Sequence, residues 1–190
     1  LLNRIIIDDV LLDDQSGQEM LKVTRLSAKF DIMPFFKGKI SISSVQLFGF
    51  NINLRKETPD SPPNFKFVLD AFASKDTVKK ENSLDLRINS ILIRRGRMSY
   101  HVLSEEETPG KFNAKHIQLQ NIIANISLKA LSKDSLNLGI KRLSLDEKAS
   151  GFSLKKMSLK LVANNKQTNI DNFTIELPET SLKLDTIHLE

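Results

Sequence analysis

The stretch KISISSVQLFGFNINL, Lys39 to Leu54, holds two short apolar and polar alternations that are out of phase. Ile40 and Ile42 keep a spacing of two, Ser43 and Ser44 intervene together, and Val45 and Leu47 resume the spacing on what a regular strand would make the opposite face. Three residues on each side of a polar pair are too few for two strands, and Ser-Ser lacks the Asn-Gly chemistry of a tight hairpin. One strand with a bulge at the pair resolves the conflict. An extra residue there returns both apolar halves to one face, while bending the strand and increasing its twist.

The same pattern, Φ-x-Φ-x-x-Φ-x-Φ, recurs along the chain. It fits IIIDDVLL (5–12), LKVTRLSA (21–28), ISISSVQL (40–47), LRINSILI (86–93), FNAKHIQL (112–119), LGIKRLSL (138–145), FSLKKMSL (152–159) and LKLDTIHL (182–189), and, but for Thr168, TNIDNFTI (168–175). Six of the nine are strict, against roughly one or fewer for a shuffled chain matched to the same template. The last four begin at 138, 152, 168 and 182, which leaves room for one strand and one short turn each and reads as a meander. Because the unit is palindromic, antiparallel neighbours would bring their polar pairs into line, and a line of bulges folds a sheet into a trough. The expected fold is mainly β: a long curved antiparallel meander forming an open apolar trough, as one segment over 1–190.

Within that segment, 1–55 carries the first strands, 56–83 a loop with one short helix, and 84–190 the meander. KETPDSPPN (56–64) is a Pro-rich loop, and NFKFVLDAF after it spaces Phe65, Val68, Leu69 and Phe72 at i, i+3, i+4 and i+7. That spacing predicts a helix over 65–74 with Asn64 as its N-cap. DIMPFFKGK (31–39) is expected to be a turn or short helical connection, and SKDTVKKENS (74–83) and SEEETPGK (104–111) charged loops.

Composition narrows the function classes. With 40% hydrophobic and 27% charged residues, the 190-residue chain is globular in character. Aromatics are 6%, with no Trp and one Tyr, so the buried face is aliphatic, which suits packing or lipid and suits base stacking poorly. No nucleic-acid partner is expected. No stretch approaches the roughly 20 apolar residues that span a bilayer, and the start at Leu1, in mid-pattern, reads as a piece of a longer protein. Cysteine is absent, which excludes disulfides and thiolate chemistry. The net charge of +5 is a mild basic bias.

Chemical motifs are sparse. His101, His116 and His188 show no i, i+4 pair and no carboxylate at ligand spacing, so no metal site is expected. Asp8, Asp9, Asp13 and Asp14 precede Ser16-Gly17, but adjacent pairs do not give the alternating carboxylates of a calcium loop, and a turn is the better reading. Ser153-Leu-Lys-Lys156 matches the acyl-transfer pattern S-x-x-K but lies inside a strand unit instead of at a helix start. No catalytic residues and no cofactor are expected.

The trough reading selects as floor residues Ile42, Val45, Ile88, Ile91 and Ile117 in the first part of the chain. In the meander it selects Ile140, Leu143, Leu154, Met157, Ile170, Phe173, Leu184 and Ile187. Basic residues at or after the polar pairs, namely Arg94, Arg95, Arg97, Lys141, Arg142, Lys155 and Lys156, are a solvated outer face or a rim for anionic headgroups, each worth about 1 kcal/mol near anionic lipid.

Four motifs then carry a resemblance: Asp14-Gln-Ser-Gly17 leading to Met20-Leu21, the strand Lys39 to Leu54, the segment Asn64 to Phe72, and the strand close Arg95 to Tyr100. Over residues 3–102 the order of these elements resembles the N-terminal region of AsmA-like proteins, and more closely the large TamB (translocation and assembly module) members of the Bacteroidetes type. The resemblance implies a β-trough, a β-taco similar to that of chorein-domain proteins, reaching into the periplasm of a Gram-negative bacterium from an anchor in the inner membrane. It implies a role in outer-membrane biogenesis. The partner would be a phospholipid or other acyl lipid carried along the trough, or an outer-membrane barrel protein secreted and assembled with its help.

Overall fold

The computed structural model describes residues 3–31, 41–73, 88–131 and 135–189. Nine strands lie within them: β1 Arg4–Asp13, β2 Glu19–Asp31, β3 Ser41–Lys56, β4 Ile88–Val102, β5 His116–Leu131, β6 Ser135–Glu147, β7 Ser153–Asn164, β8 Thr168–Glu176 and β9 Ser181–Leu189. They form one unclosed, curled sheet in sequence order, with β1 and β9 at its edges. The short helix α1 spans Lys66–Ala73, between β3 and β4. The connection expected at 31–39, apart from Asp31, and the charged loop expected at 74–83 lie outside the described residues.

Seven of the eight strand pairings are antiparallel, as a meander requires. The exception is β3 with β4, which run parallel, with Val45 beside Ile91 and Leu54 beside Tyr100. A parallel neighbour cannot follow a tight turn. It needs a long crossover, and residues 57–87, containing α1, provide one.

Bulges occur at five of the expected polar pairs. Ser43 is the extra residue of β3 against β2, where Lys29 pairs with Ser44 and Phe30 with Ile42. Register also shifts at Asn89-Ser90 of β4, Lys141-Arg142 of β6, Lys155-Lys156 of β7 and Asp171-Asn172 of β8. Four units depart from the expectation. Asp8-Asp9, Thr24-Arg25 and Asp185-Thr186 keep their register, and β5 begins at His116, so the pair Lys115-His116 is a strand start and not a mid-strand bulge. Strands of up to 16 residues also outrun the eight to ten that one unit suggests.

A second set of irregularities lies in line across the first five strands. Asp9, Gly49, Arg95 and Asn121 all have positive φ. Arg95 and Asn121 mark compensating bulges on β4 and β5, since the register shifts by one residue before Gly96 and back after it. The consequence is the one that a bulge was invoked to explain. Residues three apart face the same side: Val23 with Leu26, Leu47 with Phe50, and Leu119 with Ile122 all belong to one apolar cluster.

At the centre of that cluster Phe50 lies over Gly96. A Cβ on Gly96 would come within 2.2 Å of the Phe50 ring and 3.0 Å of the Ile122 Cβ, so only glycine lets the ring down onto the strand. Phe50 and Ile122 are thereby both buried.

The described residues form one layer, not two. Extensive contacts between elements join neighbouring strands alone, and α1 adds none of similar extent. Among the described residues no large side chain is completely buried. The accessible surface, 13488 Å², compares with about 9,200 Å² for a compact protein of this mass.

Candidate functional site

Ladders of paired residues build the apolar face. One runs through every strand: Ile7, Leu26, Leu47, Ile93, Ala124, Leu143, Met157, Ile175 and Leu182. A second follows two residues away, from Ile5 through Ala28, Val45, Ile91, Ile126 and Ile140 to Leu159. A third takes Phe30, Ile42, Ile88, Leu128, Leu138, Leu161, Ile170 and Ile187. Residues directly opposite one another share a face of the sheet. The ladders therefore form three parallel aliphatic tracks perpendicular to the strands. At about 4.8 Å between strands, the nine-strand track is roughly 38 Å long.

Of the residues selected from sequence, Ile42, Val45, Ile88, Ile91, Ile140, Leu143, Met157, Ile170 and Ile187 fall on these tracks. Leu154 pairs with Leu145, which packs against the Phe50 cluster, and is itself buried. Phe173 pairs with Leu184, which is exposed near the β9 edge. Ile117 sits apart, opposite Tyr100 at the start of β5. Most of the track residues are half-buried, touching neighbours along and across strands while one side stays open. The bulges at Ser43 and Asn89-Ser90 are what bring Ile42 and Ile88 onto the face of Val45 and Ile91, while Phe30, Leu128, Leu138 and Leu161 follow by regular alternation on their own strands.

Of the basic residues, Arg94, Arg95, Lys141 and Arg142 are exposed in mid-strand and Lys155 near the start of β7, between apolar residues of the track face and therefore on the opposite, outer face. Arg95 stacks its guanidinium over the Phe48 ring, 5.2 Å from the centroid. Lys156 pairs with Glu176 at 3.5 Å, and Arg97 is also exposed.

Two of the motifs that carry the resemblance meet in space. Asp14 is buried at the turn between β1 and β2, where its Oδ1 accepts from the Ser16 N–H and hydroxyl and from the Gln18 N–H. Its Oδ2 accepts from Arg55 at 2.7 Å and from the Asn64 amide at 3.3 Å. Asn64 does not act as the expected cap for α1: its Oδ1 accepts the Arg55 N–H and its Nδ2 donates to the Asn53 carbonyl, so it ties the helix start to β3. The acidic cluster thus makes a turn, with Gly17 at positive φ closing it.

The hydrogen bond from Ser16, with those from Gln18 and Asn64, outweighs burial and holds the Asp14 carboxyl down at about 2, from an ordinary 3.8. A carboxyl whose value is lowered on folding stabilises the fold above its unfolded value and loses that contribution as acid titrates it. The β1–β2 turn should therefore hold above about pH 4 and loosen as the pH falls towards 2, read by amide exchange at Ser16 and Gln18. Asp14→Ala, which strands the Arg55 guanidinium, should cost about 3 kcal/mol in urea unfolding and abolish that pH step.

Glu147, closing β6, is built the same way. Burial pushes its carboxyl up, but the Ser150 hydroxyl and the N–H groups of Ser150, Ala149 and Gln118 outweigh it and hold it below the usual range.

Two histidines that stand apart in sequence come together. His101 near the end of β4 faces His116 at the start of β5, and Glu107 from the intervening loop approaches both. Only the strand register reveals this, because the 13 residues between the two strands form an irregular loop. Among the described residues no helix is long and apolar enough to cross a membrane. No family model and no curated protein matches the chain.

Proposed function

We propose that this chain is a periplasmic segment of an AsmA-like or TamB-type protein, and that its apolar face carries the acyl chains of phospholipid. One observation carries the reading: an aliphatic track that touches every strand and that no second layer of the described fold covers. A contiguous apolar surface of this size marks an interaction site. Its shape suits a chain lying along it. The tracks are narrow, long and free of charged side chains, while charge is kept to the opposite face. Aliphatic floors of Ile, Leu and Val offer dispersion contacts to methylene groups but no hydrogen bond that would select one headgroup. A carrier that must pass lipid onward needs such uniform, unselective binding along its length.

Native mass spectrometry of the purified chain, with extraction of bound lipid, tests the proposal. Acyl lipid should co-purify. A lipid-free preparation that also fails to take up a fluorescent fatty acid would sink it.

A second reading is favoured by the edges. β1 exposes Ile5, Ile6 and Ile7 in succession, and β9 exposes Leu182, Leu184 and Leu189, both on strands paired on one side only. Such strands are templates for augmentation by a nascent outer-membrane strand. An added edge strand would protect β9 amides from exchange when an outer-membrane-type peptide is present. Unchanged exchange would count against the assembly role.

A further inference from the structure

We propose that His101, His116 and Glu107 form a binding site for one divalent transition-metal ion, of the zinc or cobalt type, at the end of the β4–β5 pair. The two imidazoles face each other with their Nδ1 atoms 3.0 Å apart, ring centroids 5.3 Å apart and planes at 52°. What those nitrogens carry follows from the other side of the His116 ring. Its Nε2 lies 2.9 Å from the Glu105 carbonyl oxygen, which can only accept, so Nε2 bears the hydrogen and Nδ1 of the neutral ring presents a lone pair.

That is the arrangement of a metal-ligating histidine, whose outer N–H is fixed by a backbone carbonyl so that the inner nitrogen is aimed at the ion. Glu105 is itself held in place by Lys115, at 2.7 Å. His116 is 8% exposed, so its aim is set by packing and not by solvent.

The spacing fits. A tetrahedral ion with bonds of about 2.05 Å sets two nitrogen ligands roughly 3.3 Å apart, and the Nδ1 atoms need to separate only slightly from 3.0 Å. Glu107 Oε1 lies 4.0 Å from each Nδ1. Its carboxylate is exposed on the loop and can close the remaining distance by a rotamer change. Two imidazoles and one carboxylate are a borderline donor set that suits zinc, cobalt or nickel better than calcium or magnesium.

A pocket of about 280 Å³, lined in part by Glu107, Gly110, Asn113 and His116, adjoins the site. Bound there, the ion would pin the loop after β4 to the face of the sheet opposite the apolar tracks, where His101 and His116 share a ladder with Arg55. The site is independent of any lipid on those tracks.

The test uses the whole chain without a histidine tag. Zinc is titrated in competition with a chromophoric chelator, cobalt by its visible absorption, and the melting temperature is followed with and without zinc. One zinc per chain is expected, with intense cobalt bands of a low-coordinate site and a zinc-dependent rise in melting temperature. His101→Ala should weaken zinc by more than about 100-fold, beyond the loss of an outer-shell partner, and Glu107→Gln by at least about tenfold. His188→Ala should change nothing. Failure of zinc and cobalt to bind, or undiminished binding by His101→Ala, would overturn the site. Should His101→Ala not fold, the exposed Glu107→Gln decides, and unchanged zinc affinity in that variant would equally overturn it.

Discussion

Leu143→Asp should leave the sheet folded and abolish the binding of a fluorescent fatty acid. Leu143 stands mid-way along the track that crosses all nine strands, between Ala124 and Met157. In a sealed core an ionised carboxylate at that point would lose its water without gaining a partner, at a cost of several kcal/mol out of a total stability of about 5 to 15. Here Leu143 is half-buried and no layer of the described residues closes over it, so the carboxylate keeps its water and the loss should be nearer 2 kcal/mol. The lipid suffers more than the fold. An acyl chain laid along the track would have to pass a charge, and the probe should be excluded over the central strands. The measurement is paired: thermal melting of the variant, and probe displacement against wild type. A folded variant that binds the probe as well as wild type would remove Leu143 from any lipid path, and unfolding of the variant would mean that the face is sealed.

Gly96→Ala should be the most destabilising glycine-to-alanine change among the described residues. The new Cβ would lie 2.2 and 2.6 Å from two atoms of the Phe50 ring and 3.0 Å from Ile122. Phe50 cannot yield easily, because its ring is buried between Val23 and Ile122 in the best-packed part of the sheet. Overpacking of this kind costs about 3 kcal/mol, and here the ring would also be lifted off the strand bend that compensating bulges at Arg95 and Asn121 create. A second substitution isolates the cause. Phe50→Leu alone should be destabilising, yet in the Gly96→Ala background it should restore part of the loss, a coupling of opposite sign to two independent lesions. Urea midpoints of the four proteins decide it. Strict additivity would show that the ring does not rest on Gly96.

Strand identity was legible because it is written in neighbouring residues. Apolar side chains two apart with a polar pair between them can satisfy one buried face only by an extra residue, and at Ser43, Lys141-Arg142 and Asp171-Asn172 the chain does just that. The limits of the same logic show at Lys115-His116. There the pattern is kept, but the strand starts inside it, because the loop before it is anchored by Asn113 and Glu105 and not by periodicity. Asn64 shows a different limit. It has the residue type and place of a helix cap, yet Arg55 and Asn53 are closer partners, and a side-chain amide serves whichever backbone groups the tertiary fold leaves open.

By itself, then, the sequence determined that this protein is a one-sided β-structure with an aliphatic face, since hydrophobic period and bulge position depend on residues within one strand. Only the tertiary structure decided how the strands are joined into tracks. The parallel passage from β3 to β4 is set by a crossover of some thirty residues, the row of positive φ at Asp9, Gly49, Arg95 and Asn121 by pairing across five strands, and the meeting of His101 with His116 by register. Register and direction are properties of pairs of segments distant along the chain, and a single strand carries no record of which residue its neighbour will place opposite.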